Sequence, residues 1–226
     1  MRNVLRSLHL SLELLLGRRL ALFATLDILV VGMSVLMMLL ESEGDAGDIY
    51  RSVFLFPALL LALPALSGLV DLERRAGCLD LALSAPSAEG YFVRRAAAVC
   101  AVVALQGELI LLFAWVLWGF SFPLLPAVLQ ILAASAFLGT VSLFWAVRLR
   151  TSGAVWLASA VTIGLMAKWF FFNPASQEFG MLYGSLLPRA EDTLPWLRSL
   201  AVLTAGSALF FLYARRRLRR PELMIS

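Results

Sequence analysis

Between Leu109 and Val147 the chain carries no charged side chain at all. A single helix through that run would be ~58 Å long at 1.5 Å per residue, about twice the ~30 Å hydrocarbon core of a bilayer. The run must therefore fold back on itself, and Gly119-Phe-Ser-Phe-Pro-Leu-Leu-Pro126 supplies the glycine and prolines that a tight reversal needs. Such a hairpin has no polar face to turn towards water. The rest of the 226 residues agree, since 61% are hydrophobic and 15% charged, with a mean hydropathy of +0.87. Soluble domains run to roughly 45–50% apolar and 25% charged. Too few polar groups remain to cover a water-facing surface, so the sequence predicts an integral membrane protein and excludes the large soluble catalytic folds.

A charged residue at a helix centre costs about 2.5–3.5 kcal/mol on the insertion scale, so charge-poor runs of ~20 residues mark the spans. They are Leu20 to Leu40, interrupted by Asp27; Ser52 to Val70, containing Pro57 and Pro64; Ala96 to Trp118, carrying Glu108; Ala127 to Val147; Gly153 to Phe172, with Lys168 near its end; and Trp196 to Ala214. Met1 to Arg19, Asp71 to Arg95, Arg148 to Ser152 and the tail from Arg215 hold most of the 19 basic residues, whereas the loop from Glu41 to Asp48 is acidic. Because Lys and Arg gather on the cytoplasmic side, both termini are expected there. The fold class predicted is an all-α membrane protein with six transmembrane helices over 20–214 and a basic cytoplasmic tail over 215–226. Over 1–19, Val4, Leu5, Leu8, Leu12, Leu15 and Leu16 recur at helical steps between Arg2, Arg6, His9 and Glu13, which predicts an N-terminal amphipathic helix lying in the interface. No cleavable signal is expected, because the first apolar run is long and starts about 20 residues in. The formal net charge of +4 is topological information, and no nucleic-acid partner is expected.

Residue counts remove several chemistries. His9 is the only histidine, so paired-histidine metal or haem sites cannot be built from one chain, and no metal site is expected. The only lysine, Lys168, stands in Leu-Met-Ala-Lys-Trp-Phe, which is not a phosphate-binding loop of the Walker type. Cys78 and Cys100 fall at the cytoplasmic side, where thiols stay reduced. No nucleophile and base can be paired for an intramembrane enzyme. The intramembrane polar candidates are Asp27, Glu108 and Lys168. Glu108 lies ~18 Å deep by helix rise, where a carboxylate must be protonated, face a polar cavity or find a partner on another helix. It reads either as a cargo-sensing residue or as one end of an interhelical hydrogen bond.

The longest loop on the arginine-rich side, 71–95, opens Asp71-Leu72-Glu73-Arg74-Arg75-Ala76-Gly77-Cys78-Leu79-Asp80 and reaches Pro86. Leu79, Leu81 and Leu83 need cover, from a partner, from the protein's own membrane face or from the headgroups of membrane lipids. In the order and spacing of Glu73, Gly77, Leu79, Asp80 and Pro86 this loop resembles that of type-2 ABC export permeases, and six spans with an amphipathic N-terminal helix are similar as well. The membrane subunit of the haem exporter of cytochrome c maturation is similar in length and loop pattern. The resemblance implies a non-catalytic permease subunit of the bacterial inner membrane that exports a lipid, peptide, drug or haem-like cargo. It also implies a separate cytoplasmic ATPase subunit holding ATP and Mg, pairing with a second copy or a related permease, and no cofactor on this chain. Glu73, Gly77, Leu79, Asp80 and Pro86 would form the coupling element, with Arg74 and Arg75 beside it, and the outer loop 173–195 would be re-entrant or an ordinary loop. The alternative is a self-contained secondary transporter or channel built on Asp27, Glu108 and Lys168.

Overall fold

The computed structural model describes residues 63–84, 88–117, 124–172 and 193–220, together with helical positions at Thr25, Ile28, Leu29, Gly32 and Leu36. The expected interfacial helix over 1–19, Asp27, the acidic loop from Glu41 to Asp48, Pro86 and nearly all of the outer loop 173–195 lie outside the described residues. Among the described residues every regular element is an α-helix: α1 (Leu63–Ser67), α2 (Asp71–Arg75), α3 (Leu79–Ser84), α4 (Ala88–Leu117), α5 (Leu124–Ala146), α6 (Ser152–Phe172) and α7 (Thr193–Leu218). Leu124–Ala146 and Trp196–Leu218, of 23 residues each, are long and apolar enough to cross a membrane.

The helix boundaries depart from the charge-based reading for local reasons. Instead of starting at Ala127, α5 starts at Leu124 and takes Pro126 into its first turn. A proline is tolerated there because the first N–H groups of a helix have no intrahelical acceptor. In α7, Pro195 sits in the first turn for the same reason, and Arg215, Arg216 and Arg217 complete the last turn, where cations oppose the negative end of the helix dipole. The 30 residues of α4 make it ~45 Å long. It begins at Ala88 and not at Ala96, so its first two turns, carrying Glu89, Tyr91, Arg94 and Arg95, belong to what charge alone marks as loop.

Packing centres on α5, which touches α1, α4, α6 and α7. Ile131, Ala134, Leu138 and Val141 of α5 are buried against Leu63, Leu66 and Leu69 of the α1 region and against α4 and α7. Towards α7 the contact is aromatic. Phe144 meets Phe210 edge-on at 5.1 Å, and Phe137 meets the same ring at 6.0 Å, the geometry favoured by ring quadrupoles. Hydroxyls inside the helices return to their own backbone, as Ser135 does to the Ile131 carbonyl at 2.8 Å and Ser207 to the Leu203 carbonyl at 2.7 Å. Between α5 and α6 a polar bond runs from Trp145 Nε1 to Thr162 Oγ1 at 2.9 Å. Large apolar side chains remain on the outside in helical stripes, with Leu105, Leu109, Leu112 and Val116 exposed on α4 and Trp156, Leu157, Val161 and Leu165 on α6.

Where α4 packs on α5, a Cβ on Gly139 would collide with Cys100 Sγ. Small residues at such crossings let two backbones come together. Gly139→Ala is expected to cost about 1–3 kcal/mol through overpacking, and Cys100→Ala in the same chain should restore most of it. Thermal unfolding of both variants in detergent checks this. An equal loss with and without Sγ would show that the two residues do not meet.

Candidate functional site

The helix α2 is one and a half turns long, too short to persist alone, and its shape is set at both ends by contacts. At its C-terminus the Gly77 N–H donates to the Arg74 carbonyl at 3.2 Å and the Cys78 N–H to the Glu73 carbonyl at 3.0 Å, the paired bonds of a Schellman termination. That motif needs a left-handed residue after the cap, and Gly77 has φ +67°. A glycine is thus required here by backbone geometry, and α3 starts two residues later.

At about 100° per residue, Asp71, Arg74 and Arg75 fall on one side of α2 and Glu73 on the other. The first side binds the turn between α5 and α6. Arg74 Nη1 donates to the Leu149 carbonyl at 3.1 Å and to the Arg150 carbonyl at 2.7 Å. Asp71 Oδ2 accepts the Ser152 backbone N–H at 3.3 Å, beside the N-cap bond from the Ala154 N–H to Thr151 Oγ1. Arg75 holds Asp71 at 2.8 Å and reaches Ser152 Oγ at 3.3 Å. Carbonyls of the turn after α5 are thereby satisfied, and a carboxylate is placed at the positive start of α6.

The other side of α2 faces α4. Glu73, only 5% exposed, is ion-paired with Arg95, 4% exposed, and Glu73 Oε1 also accepts the Tyr91 hydroxyl at 2.8 Å. Arg95 in turn lies 4.8 Å from the centre of the Tyr91 ring. Tyr91 and Arg95 are four residues apart and so share one stripe of α4. Burial, and then the bond to the Glu73 carboxylate, pushes the Tyr91 phenol up to about 12. Two residues before Tyr91, Glu89 takes Arg215 of α7 and Arg219 just past its end, the latter at 2.9 Å. The hydrogen bond from Arg219 is the main cause that holds the Glu89 carboxyl below its usual range.

These bonds gather three arginine-rich segments, 71–95, 148–152 and the tail from Arg215, at one end of the bundle. Of the predicted coupling residues, Glu73 is turned inward, Leu79 is buried with Leu83 against the protein's own core, and Arg75 and Gly77 are exposed. Asp80 lies within α3, and Pro86 is outside the described residues. Both Glu108 carboxylate oxygens on α4 are buried and make no hydrogen bond among the described residues. Lys168 is in α6. Tyr91 and Arg95 are the partners of Glu73 that sequence reading overlooked. Their spacing of four at the start of a long helix was visible, but their acceptor lies elsewhere in the chain. Comparison of the chain with protein-family models, with curated proteins and with solved structures finds no match in any of the three.

Removing Arg95 leaves a buried carboxylate without its counter-charge, so Arg95→Met is expected to destabilise the protein by about 3–5 kcal/mol. Adding Glu73→Gln, whose amide oxygen still accepts from Tyr91, should recover most of that loss, and denaturation of the single and double variants decides the matter. For Tyr91, a folded-state pKa above the ordinary 10 means that its contribution is complete below about pH 10 and lost as pH rises through about 12. Tyrosinate absorbance of the folded protein should show a last ionisation near pH 12 that Tyr91→Phe removes; a last ionisation unchanged in that variant contradicts the assignment.

Proposed function

We propose that the chain is the membrane-spanning, non-catalytic permease subunit of an ABC-type exporter, and that α2 and α3 are the element through which a separate ATPase subunit moves it. The observation that carries this reading is the double anchorage of α2. A push on the exposed Arg75–Gly77 surface passes through Glu73 to Arg95 on α4 and through Arg74 and Asp71 to the α5–α6 turn. Three long helices would then move together as rigid bodies, the kind of motion by which domain closure is transmitted. The exposed leucine and valine stripes on α4 and α6 support immersion in lipid, because a surface facing water seldom carries large contiguous apolar patches. On this reading the arginine-rich end is cytoplasmic, the chain makes six crossings of a bacterial inner membrane with both termini inside, and it pairs with a second copy or a related permease. ATP and Mg belong to the ATPase, and the cargo is lipid, peptide, drug or haem-like.

A second reading, a self-contained transporter, draws on Glu108, whose buried oxygens lack a hydrogen bond among the described residues and which could carry a proton. The two differ in their energy source.

Full-length tagged chain should bring down an ATPase with a Walker-type phosphate loop, and cargo should stimulate that ATPase after reconstitution. Arg74→Gln removes the bonds to Leu149 and Arg150 while leaving the Glu73–Arg95 pair, so it is expected to keep the complex assembled and to reduce stimulation at least about tenfold, equivalent to ~1.4 kcal/mol. Transport driven by a proton gradient with no ATPase recovered would overturn the permease reading in favour of the second.

A further inference from the structure

Beside the contact of Cys100 with Gly139, α4 and α5 leave an open groove of about 350 Å³, with Phe211 of α7 as its third wall. Its lining is almost wholly apolar, and Ala97, Ala101 and Ala136 along it are exposed, so the small side chains leave space that the helices do not fill themselves. From Val93 to Ala104 the groove extends ~16 Å along α4, about half of a ~30 Å hydrocarbon core, which is the depth of one leaflet. If a methylene takes about the ~30 Å³ that one water occupies in the liquid, the volume holds roughly a dozen methylenes. A helix from a second copy is ~10–12 Å across and needs several times this volume over the same length.

The end of the groove towards the arginine-rich side is flanked by several charges, and at its other end Glu108 follows Ala104 by one turn of α4 with both carboxylate oxygens buried. On α4 the residue one turn before Val93 is Glu89; Arg215 follows Phe211 by one turn on α7, and Arg219 stands just past the end of that helix, both holding Glu89 in the ion-paired cluster. Arg148, two turns after Thr140 on α5, stands over the Phe144 ring at 4.3 Å, and Arg94 is exposed on α4. A narrow apolar slot of leaflet depth thus ends at four guanidiniums and one carboxylate. The geometry points to this groove as a binding site for an anionic phospholipid of the leaflet on the arginine-rich side, with one acyl chain between α4 and α5 and the phosphate on Arg215 and Arg219. A zwitterionic lipid fits the slot equally well but leaves the positive excess at the mouth uncompensated.

The inference rests on the membrane reading above and is independent of any ATPase. The test uses the purified, delipidated full chain in detergent, titrated with dilauroylphosphatidylglycerol or dilauroylphosphatidylcholine and read by native mass spectrometry. One phosphatidylglycerol per chain is expected, held about tenfold more tightly than phosphatidylcholine. Ala101→Trp and Ala136→Phe, which each fill the slot from an exposed position on a different helix, should weaken both lipids about tenfold without changing the thermal melt. Arg215→Gln with Arg219→Gln should abolish the preference for phosphatidylglycerol and keep phosphatidylcholine binding. Unchanged lipid binding in both slot-filling variants, a preference that survives loss of the two arginines, or a second protein copy in place of lipid would each overturn the proposal. Recovery of the chain without detergent would overturn it together with the membrane reading. Failure to recover an ATPase, with the lipid results as expected, would sink only the permease reading.

Discussion

Glu73 and Arg95 are each almost wholly removed from solvent, and neither can keep its charge there without the other. Taking a carboxylate and a guanidinium out of water costs several kcal/mol per ion, and only close pairing with further hydrogen bonds offsets that cost. Tyr91 supplies one such bond, and its ring lies against the guanidinium. The pair fixes where α2 can sit relative to α4. A five-residue helix has no stability of its own, so its position depends on this contact more than on its sequence propensity. Once Glu73 is held inward, the helical repeat forces Asp71, Arg74 and Arg75 to the opposite side, where the α5–α6 turn offers carbonyls and a helix start to receive them.

The consequence is a short segment that adds directional polar links between long helices held over most of their length by side-chain packing. Arg74 spans a sequence separation of 75 residues to the Leu149 carbonyl, and Glu89 reaches 130 residues to Arg219. Through these bonds one end of the bundle is cross-linked by directional polar contacts, whereas most of its length is held by apolar and aromatic packing around α5. Such a division suits a subunit that receives force at its polar end and transmits it through rigid helices, which is the role proposed above. It also explains why Gly77 lies at the surface between two helices. The termination of α2 needs a positive φ, and the side-chain-free turn leaves Arg75, Ala76 and Gly77 exposed.

At two helix crossings a glycine stands against a larger side chain. Gly139 against Cys100 and Gly206 against Phe137, where an added Cβ would stand 2.9 Å from the ring, bring α4 and α7 close to α5. Small side chains that lie beside such a crossing, and not in it, leave a groove. The slot beside Cys100 and Gly139 is therefore a by-product of the same alanine-rich composition that permits close approach, and the arginines that close the end of α7 give it a charged mouth.

Much of the architecture was legible in the one-dimensional pattern of charge. The uncharged run after Glu108 demanded a reversal, and the structure has two helices, α4 and α5, packed on each other within it; of the arginine-rich segments read as lying on one side, 71–95, 148–152 and the start of the tail are joined at one end by hydrogen bonds and ion pairs. Loop 71–95 was picked out by Glu73 and Gly77, and the glycine is where a helix termination requires it. The direction in which those residues face was not legible. Glu73 could be read as a surface charge for a partner, because nothing in a linear sequence shows that Arg95, 22 residues on, folds back to meet it. Nor did the sequence show that Leu79 and Leu83 are covered by the protein itself. Hydropathy and charge are properties of each residue and survive in the sequence, so they set which segments are helical and which ends are polar. Burial and ion pairing are properties of two segments at once, and only the packing of α2 against α4 and the α5–α6 turn decided them.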